Sequence, residues 1–239
     1  MPQENQMSYP KNRILTFDIE SAGVNALKSD LGFVLMVGYK WLHEPEAKII
    51  TIKKKHLKHF DDRDVLRRFS TVYTKADITV AHFGSVYDRR FIQGRLLIHD
   101  LPPIPQTIMR DTCMIARSVA NYSSNRLKNL GTTLDLVHTK HEKGAGWPGW
   151  WFKAMQGDMN AVREMAEYCK GDVLATEELY LRLRPFDNAH PRLDMRSARC
   201  GACGGHTERR GYRYTKTTRY ARLQCLNALC QRWSQGPAA

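Results

Sequence analysis

The stretch Ile14–Glu20, ILTFDIE, combines the pattern of a buried β-strand with two carboxylates. Side chains alternate between the two faces of a strand, so its apolar residues at alternate positions share one face, and Asp18 and Glu20 share the other. Two like charges on one face of a mostly apolar strand repel each other and resist desolvation. The strand therefore needs a partner that neutralises these carboxylates.

Length and composition indicate an ordinary soluble globular protein. The chain has 239 residues, 42% of them hydrophobic and 26% charged, so disorder is not expected. This length allows one good core plus a small module, or two modest domains. The N-terminus has no apolar signal core, and the longest apolar run, GFVLMVGYKWL, is too short to span a bilayer. We expect a cytoplasmic protein with no membrane partner.

The net charge favours an acidic partner. The formal charge is +13 and the isoelectric point is near 9.6, which favours nucleic acid. From Asn188 onward the chain carries ten Lys and Arg against two acidic residues, so the excess is concentrated in the C-terminal tail. A solvated basic surface with no function is the alternative.

The same tail contains four of the six cysteines, Cys200, Cys203, Cys225 and Cys230, within the motifs CGAC and CLNALC. Their spacing is typical of two metal-binding knuckles, and four thiolates complete the tetrahedral shell of a structural Zn²⁺. The second knuckle has four intervening residues where two are common. Disulfides are the alternative, although thiols are kept reduced in the cytosol. His206 is a possible substitute for one cysteine.

The tail therefore resembles a zinc ribbon, with the segment RRGYRYTKTTRYARLQC between the two knuckles as a basic hairpin. Its arginines are candidates for phosphate contacts and its tyrosines for base stacking. The candidate nucleic-acid-binding residues are Arg209, Arg213, Tyr214, Arg219, Tyr220 and Arg222, with Tyr212 as a further tyrosine. Alternatively, the tyrosines cover a core that is too small to fold without its metal.

The larger part of the chain alternates strand and helix patterns. Strands are predicted at Ile14–Asp18 and at residues 33–42, 47–53 and 77–82. Helical periodicity covers residues 61–75 and 85–99, and after the segment QTIMRDTCMIARSVA the chain reads as helical to about Leu183. This order of elements predicts an α/β sandwich: three strands, a helix, a strand and then further helices. We expect this domain at residues 12–186, a proline-containing linker at 187–198 and the zinc ribbon at 199–234.

Further polar residues extend the first motif. Asp88 follows a predicted strand near the first turn of a helix, and Tyr168 and Asp172 lie four residues apart on one helix face. Asp-x-Glu, a distant Asp and then Tyr-x-x-x-Asp resemble the Tyr-containing subgroup of the DEDD superfamily of 3′–5′ exonucleases. The segment YCKGDV, which contains Tyr168 and Asp172, is similar in sequence to family B DNA polymerase proofreading domains and to stand-alone phage and bacterial exonucleases. The connecting segments RDTCMIARS and SNRLKNLG also resemble that family.

This resemblance implies a ribonuclease H-like (DnaQ-like) fold and a two-metal-ion mechanism. Asp18 would bridge two Mg²⁺ or Mn²⁺ ions, Glu20 and Asp172 would hold one of them, and Asp88 would hold the other largely through water. Tyr168 would orient the attacking water. The chemistry agrees, because clustered carboxylates are costly unless divalent cations neutralise them and hard oxygen ligands suit these cations. The expected reaction releases nucleoside 5′-monophosphates from the 3′ end of single-stranded DNA.

One position departs from the family pattern, which usually carries Asn a few residues before the second-motif Asp; Phe83 occupies about that position here. Two alternatives stay open, a 3′–5′ exoribonuclease and a non-catalytic nucleic-acid-binding protein on the same fold. The intact acid set argues against the second. The expected partners are a nucleic acid 3′ end and, in trans, a polymerase or another replication or repair protein.

Overall fold

The computed structural model of this chain describes residues 13–42, 44–138, 149–191 and 199–238. The first three ranges are built on a five-stranded mixed sheet with the order β3-β2-β1-β4-β5. Its strands are β1 (Ile14–Gly23), β2 (Gly32–Trp41), β3 (Lys48–Thr51), β4 (Ile78–Ala81) and β5 (Ile108–Asp111). The strands β1, β2 and β3 pair antiparallel, whereas β4 and β5 run parallel to β1.

Helices cover both faces of this sheet. They are α1 (Lys54–Leu57), α2 (Arg63–Tyr73), α3 (Asp88–Ile98), α4 (Thr112–Val119), α5 (Leu127–Thr133), α6 (Gly149–Met155) and α7 (Met159–Leu183), followed by a 3₁₀ turn at Arg184–Phe186. The longest helix, α7, packs across β1, β2, β3 and β4. Among the described residues, no helix combines the length and apolar character needed to cross a membrane.

The two faces of β1 differ in chemistry, as the alternation in ILTFDIE predicts. Phe17 is fully buried against the rings of Phe69 and Tyr73 of α2, with ring centroids 5.3 and 5.7 Å away. Asp18 points the opposite way, where its Oδ2 lies 3.9 Å from the Sγ of Cys169 on α7. The apolar face of β1 therefore packs on α2, and its acidic face meets α7.

The predicted α/β sandwich is confirmed, with one strand more than expected. The fifth strand, β5, has four residues and is followed at once by α4, whose N-cap residue is Asp111. Because the strand is this short and the helix follows without a loop, no turn signal separates the two elements in the sequence. The helical reading toward Leu183 resolves into α5, α6 and α7, with residues 139–148 outside the described part of the chain.

The last described range forms a separate three-stranded antiparallel sheet with the order β6-β7-β8. The predicted hairpin corresponds to β6 (Thr207–Tyr214) and β7 (Arg219–Cys225), and the additional strand β8 (Trp233–Ala238) continues past residue 234. Residues 192–198 of the predicted linker lie outside the described residues. The linker residues that precede this gap contact the five-stranded domain. Asp187 pairs with Arg110 at 2.5 Å, and buried His190 shares a 2.7 Å hydrogen bond with the Tyr180 hydroxyl.

The distance between α7 and the sheet depends on Gly38 of β2, which pairs with Asp18 of β1. A Cβ atom at this position would lie 2.7 Å from Cys169 Sγ and 2.9 Å from a methyl carbon of Val173, closer than real contacts of this kind. Glycine at position 38 therefore lets the helix that carries Tyr168 and Asp172 approach the acidic face of β1.

We predict that Gly38→Ala lowers the free energy of unfolding by about 1–3 kcal/mol, because the new methyl group forces α7 away from the sheet. Urea denaturation measures this change. The matched control is Gly149→Ala, since a Cβ on Gly149 meets no atom of the described residues within 4 Å; we expect a change within about 0.5 kcal/mol there. An unaltered urea midpoint for Gly38→Ala would contradict this close approach.

Candidate active site

Acidic residues collect at one edge of the five-stranded sheet. The parallel strands β1, β4 and β5 end at the same edge, where α/β proteins commonly bind ligands. Asp18 and Glu20 lie in the middle of β1, just past the residues that pair with β4, Asp88 begins α3 after β4, and Asp111 ends β5. From the facing helix α7, Asp172 joins them. Residues far apart in the chain thus converge because three strands share one direction.

Hydrogen-bond and ligand distances show how closely the acids approach. The Asp88 Oδ1 accepts a hydrogen bond of 3.1 Å from the backbone N–H of Ile19, which lies between the two acids of β1. Asp18, Glu20 and Cys169 each offer an atom within 4.8 Å of the others. The start of α3, the middle of β1 and the middle of α7 therefore meet at one place.

The charges of the four acids act on two neighbours, Cys169 and Tyr87. Burial raises the pKa of the Cys169 thiol well above its ordinary value, and the charges of Asp18, Glu20 and Asp172 raise it further. On the other side, burial raises the pKa of Tyr87 to about 12, with further contributions from Asp88, Glu20 and Asp18. The structure thus brings together all four carboxylates that the sequence predicts as metal ligands.

Such a cluster suits hard divalent cations. The side chains of Glu20, Asp88 and Asp172 are buried, with exposed fractions of 8%, 3% and 3%, while Asp18 is partly exposed. Like charges with this little solvent repel strongly, and carboxylate oxygens are the donors that Mg²⁺ and Mn²⁺ prefer. The donor set therefore fits these ions, with the open side of the site at Asp18.

Tyr168 lies one helical turn before Asp172 on α7 and is 8% exposed. Its ring meets Trp150 of α6 edge-on, with 6.3 Å between the ring centroids. Helix α6 therefore restricts the orientation of the Tyr168 ring. No sequence motif assigns this role to Trp150, which stands in a tryptophan-rich segment that is also typical of a core.

Asp111 braces the loop that leads to Asp88. Its carboxylate accepts hydrogen bonds from the backbone N–H groups of Phe83 (2.9 Å) and Ser85 (3.0 Å) and from the Ser85 hydroxyl (2.5 Å). It also caps α4 by accepting from the N–H groups of Cys113 and Met114. Sequence reasoning missed this residue, although an Asp directly before a helical pattern is a helix-start signal.

Tyr87 fixes the other end of that loop. Its hydroxyl donates a hydrogen bond of 2.7 Å to the Ala26 carbonyl and shares one of 2.5 Å with the Ser21 hydroxyl. With its pKa near 12, the phenol stays protonated at neutral pH and keeps these bonds. The residue next to Asp88 is therefore tied to the end of β1, so that the two acidic segments are held together.

The predicted zinc ligands also converge. Cys200, Cys203, Cys225 and Cys230 are free thiols whose sulfur atoms lie within 4.8 Å of one another. The separations are 3.8 Å for Cys200–Cys230 and 3.5 Å for Cys203–Cys225. A tetrahedral Zn²⁺ site with 2.3 Å bonds places its sulfurs about 3.8 Å apart, so this cluster has the dimensions of such a site.

The predicted nucleic-acid-binding residues lie on two faces of the small sheet. Directly paired residues of antiparallel strands share a face. Tyr214 pairs with Arg219, whose guanidinium lies over the Tyr212 ring at 4.4 Å, and Arg209 covers the same ring at 5.3 Å. The opposite face contains Arg213, Tyr220 and Arg222. It also contains Trp233, 5.0 Å from the Arg222 guanidinium, which sequence reasoning missed.

Comparisons with known proteins agree with this fold. A family profile described as the RNase_H superfamily matches residues 15–184, which include the four carboxylates and Tyr168. A solved structure of the family B DNA polymerase from the hyperthermophilic archaeon Pyrobaculum calidifontis is similar, with a TM-score of 0.60 and 19% identity. The similarity covers 74% of this chain and 25% of the polymerase chain, so this chain spans about a quarter of that protein. No curated protein sequence matches this chain significantly. The predicted ribonuclease H-like fold is confirmed.

We predict that Asp111→Ala lowers the free energy of unfolding by about 2–3 kcal/mol, because a buried carboxylate that accepts several hydrogen bonds is lost. The matched control is Asp158→Ala. Asp158 caps α7 by accepting from two N–H groups of that helix; its removal should cost about 1 kcal/mol. Equal losses for the two variants in urea denaturation would show that Asp111 acts as a helix cap and does not brace the loop at residues 83–85.

Proposed function

The chain belongs to the RNase_H superfamily, and we propose that it is a 3′–5′ exonuclease of the Tyr-containing DEDD group. It hydrolyses the phosphodiesters of single-stranded DNA and releases nucleoside 5′-monophosphates. The observation that carries this proposal is the convergence of Asp18, Glu20, Asp88 and Asp172 from three separate segments. A structural protein has no need of four like charges in one place, three of them buried, whereas phosphodiester hydrolysis uses them to hold cations.

These four carboxylates would hold two Mg²⁺ or Mn²⁺ ions. When bound, such ions supply an activated water and stabilise the charge that develops on the phosphate. The protein contributes position: the N–H of Ile19 holds the Asp88 carboxylate, and Gly38 lets Asp172 approach β1. Tyr168, one helical turn from Asp172 and restricted by Trp150, orients the attacking water.

The C-terminal sheet supplies a second, non-catalytic part of the proposal. The four cysteines hold one structural Zn²⁺, since no coordination position stays open for substrate. The ribbon at 199–234 captures the nucleic acid strand through its exposed arginines, and the exonuclease domain at 12–186 cuts it. Support comes from the 3.5–3.8 Å sulfur separations and from the arginines on both faces of the sheet.

The activity is tested with single-stranded DNA labelled at its 5′ end and incubated with Mg²⁺ or Mn²⁺. We expect a descending ladder of labelled products, and a 3′-phosphate end should resist digestion. Matching RNA distinguishes an exoribonuclease. Predominant cuts within circular single-stranded DNA would contradict an exonuclease and indicate an endonuclease.

We predict that Asp18→Ala lowers the rate of digestion by about a thousand- to ten-thousand-fold, which corresponds to about 4–6 kcal/mol of transition-state stabilisation. Folding should persist, because the substitution removes like-charge repulsion. The control is Asp77→Ala, at the amino end of β4 and at the opposite edge of the sheet, where the Asp77 carboxylate accepts a hydrogen bond from the N–H of Arg13. A folded Asp18→Ala protein with more than about a tenth of wild-type activity would refute this assignment.

We predict that replacing arginines of the ribbon weakens substrate capture without slowing saturated turnover. Arg209→Gln with Arg219→Gln tests one face, and Arg213→Gln with Arg222→Gln tests the other. For the face that contacts phosphates, the slope of log affinity against log salt should fall by about 1.4, or 0.7 per phosphate contact.

Each variant should keep about one zinc per chain, which shows that the ribbon is intact. The control pair is Arg67→Gln with Lys75→Gln, two exposed basic residues in and after α2. Unchanged affinity and salt slope in both ribbon pairs would assign this sheet to a different partner.

A further inference from the structure

Phe83, in the loop between β4 and α3, has an unusual backbone conformation. Its φ angle is +64°, a left-handed conformation that Asn and Gly adopt readily and that bulky aromatic residues rarely adopt. Such strain persists only where the surroundings impose it, and it is concentrated at functional sites. At this position the sequence therefore carries a ring where a smaller residue would suit the backbone better.

The surroundings that impose this conformation are hydrogen bonds on both sides of Phe83. Its N–H donates to the Asp111 carboxylate at 2.9 Å, and its carbonyl accepts from the N–H groups of Val86 and Tyr87 at 3.2 and 3.0 Å. The next residue, Gly84, lies beside Asp88, since a Cβ on it would be 3.5 Å from Asp88 Oδ2. The strained residue is therefore part of the loop that positions a proposed metal ligand.

The side chain of Phe83 is not needed to fill the core. It is 37% exposed, and the guanidinium carbon of Arg117 on α4 lies 5.9 Å from its ring centroid. An aromatic ring that stacks on a base and a nearby cation that attracts phosphate are the two groups that proteins combine to bind single-stranded nucleic acid. Phe83 lies five residues before Asp88, and Arg117 reaches its ring from α4.

Phe60 provides a comparison within the same chain. It also has a positive φ, +52°, and is 49% exposed, but its ring stacks on Phe33 with centroids 5.0 Å apart. Packing between two rings accounts for an aromatic residue at position 60. At position 83 the ring contacts a cation beside the acidic cluster, so a ligand is the better explanation.

We infer that Phe83 and Arg117 form a binding platform for an unpaired nucleobase near the 3′ end of the strand. The ring of Phe83 stacks on the base, and the guanidinium of Arg117 attracts a neighbouring backbone phosphate. This inference rests on the proposed exonuclease function and names a contact within it. Because every base has an aromatic face, the platform accepts any sequence but requires a base.

Equilibrium binding tests this platform separately from hydrolysis. The full-length, zinc-loaded protein is titrated with fluorescein-labelled single-stranded DNA in Ca²⁺, using one oligonucleotide with normal 3′-terminal nucleotides and one with three abasic sites there. We expect the wild-type protein to bind the normal strand about 5- to 100-fold more tightly. Phe83→Leu should abolish this preference, while Phe83→Tyr and the matched control Phe60→Leu should retain it. A preference that survives in Phe83→Leu, or that is absent from the wild-type protein, would overturn the platform.

Two further variants separate binding from folding. Phe83→Asn should lose the preference for the normal strand while its Tm stays equal to or rises above that of the wild type, because Asn suits the left-handed backbone. Arg117→Gln should weaken binding of both strands alike and lower the salt slope by about 0.7. A lower Tm for Phe83→Asn with the base preference intact would make Phe83 structural and overturn the platform. Base-dependent binding by a protein that does not digest DNA would contradict the exonuclease proposal and leave the platform standing.

Discussion

The mutual repulsion of four clustered carboxylates, three of them buried, is the constraint on which the rest of this structure depends. Asp18 and Glu20 stay together because β1 has no other face for them once its apolar side chains meet α2. Parallel pairing brings Asp88 to the same edge, and α7 adds Asp172 from above the sheet. A fold that holds these charges together in the absence of cations is stabilised by contacts outside the site. Its free energy of unfolding should rise when divalent ions bind and neutralise the carboxylates.

The elements around the acids show where that stabilisation lies. Helix α7 is held against the sheet at two neighbouring positions of β2, by the close approach at Gly38 and by an ion pair between Lys40 and Glu177. The ion-pair atoms lie 2.6 Å apart, with the side chains 7% and 9% exposed. Burial raises the pKa of Glu177, so its charge depends on Lys40. Because these contacts next to the site are rigid, the fold tolerates backbone strain within the site, such as the positive φ of Phe83.

Local patterns in the sequence were sufficient for the start of β1, which continues five residues beyond the predicted end, and for the two faces of that strand, because spacing within one element fixes which side chains share a face. The cysteine spacing was likewise sufficient to predict the cluster of four thiols. Contacts between segments that are far apart in the chain could not be predicted from the sequence. The brace from Asp111 to the loop at residues 83–85 joins two strand ends, and only the paired sheet makes them neighbours. The arginine faces of the ribbon depend on a bulge between Arg209 and Tyr212, where Gly211 has a φ of +91°. Simple alternation would have placed Arg209 with Arg213, on the wrong side.

The most direct test of the proposed cation site is a crystal of the protein soaked in Mn²⁺, with the ions located by anomalous scattering. Manganese is a hard divalent cation that the carboxylates should accept in place of magnesium. We predict two manganese peaks among Asp18, Glu20, Asp88 and Asp172 in the wild-type protein, and their loss in Asp18→Ala crystals. Carboxylates neutralised by a basic side chain, with no manganese peak between them, would contradict the account.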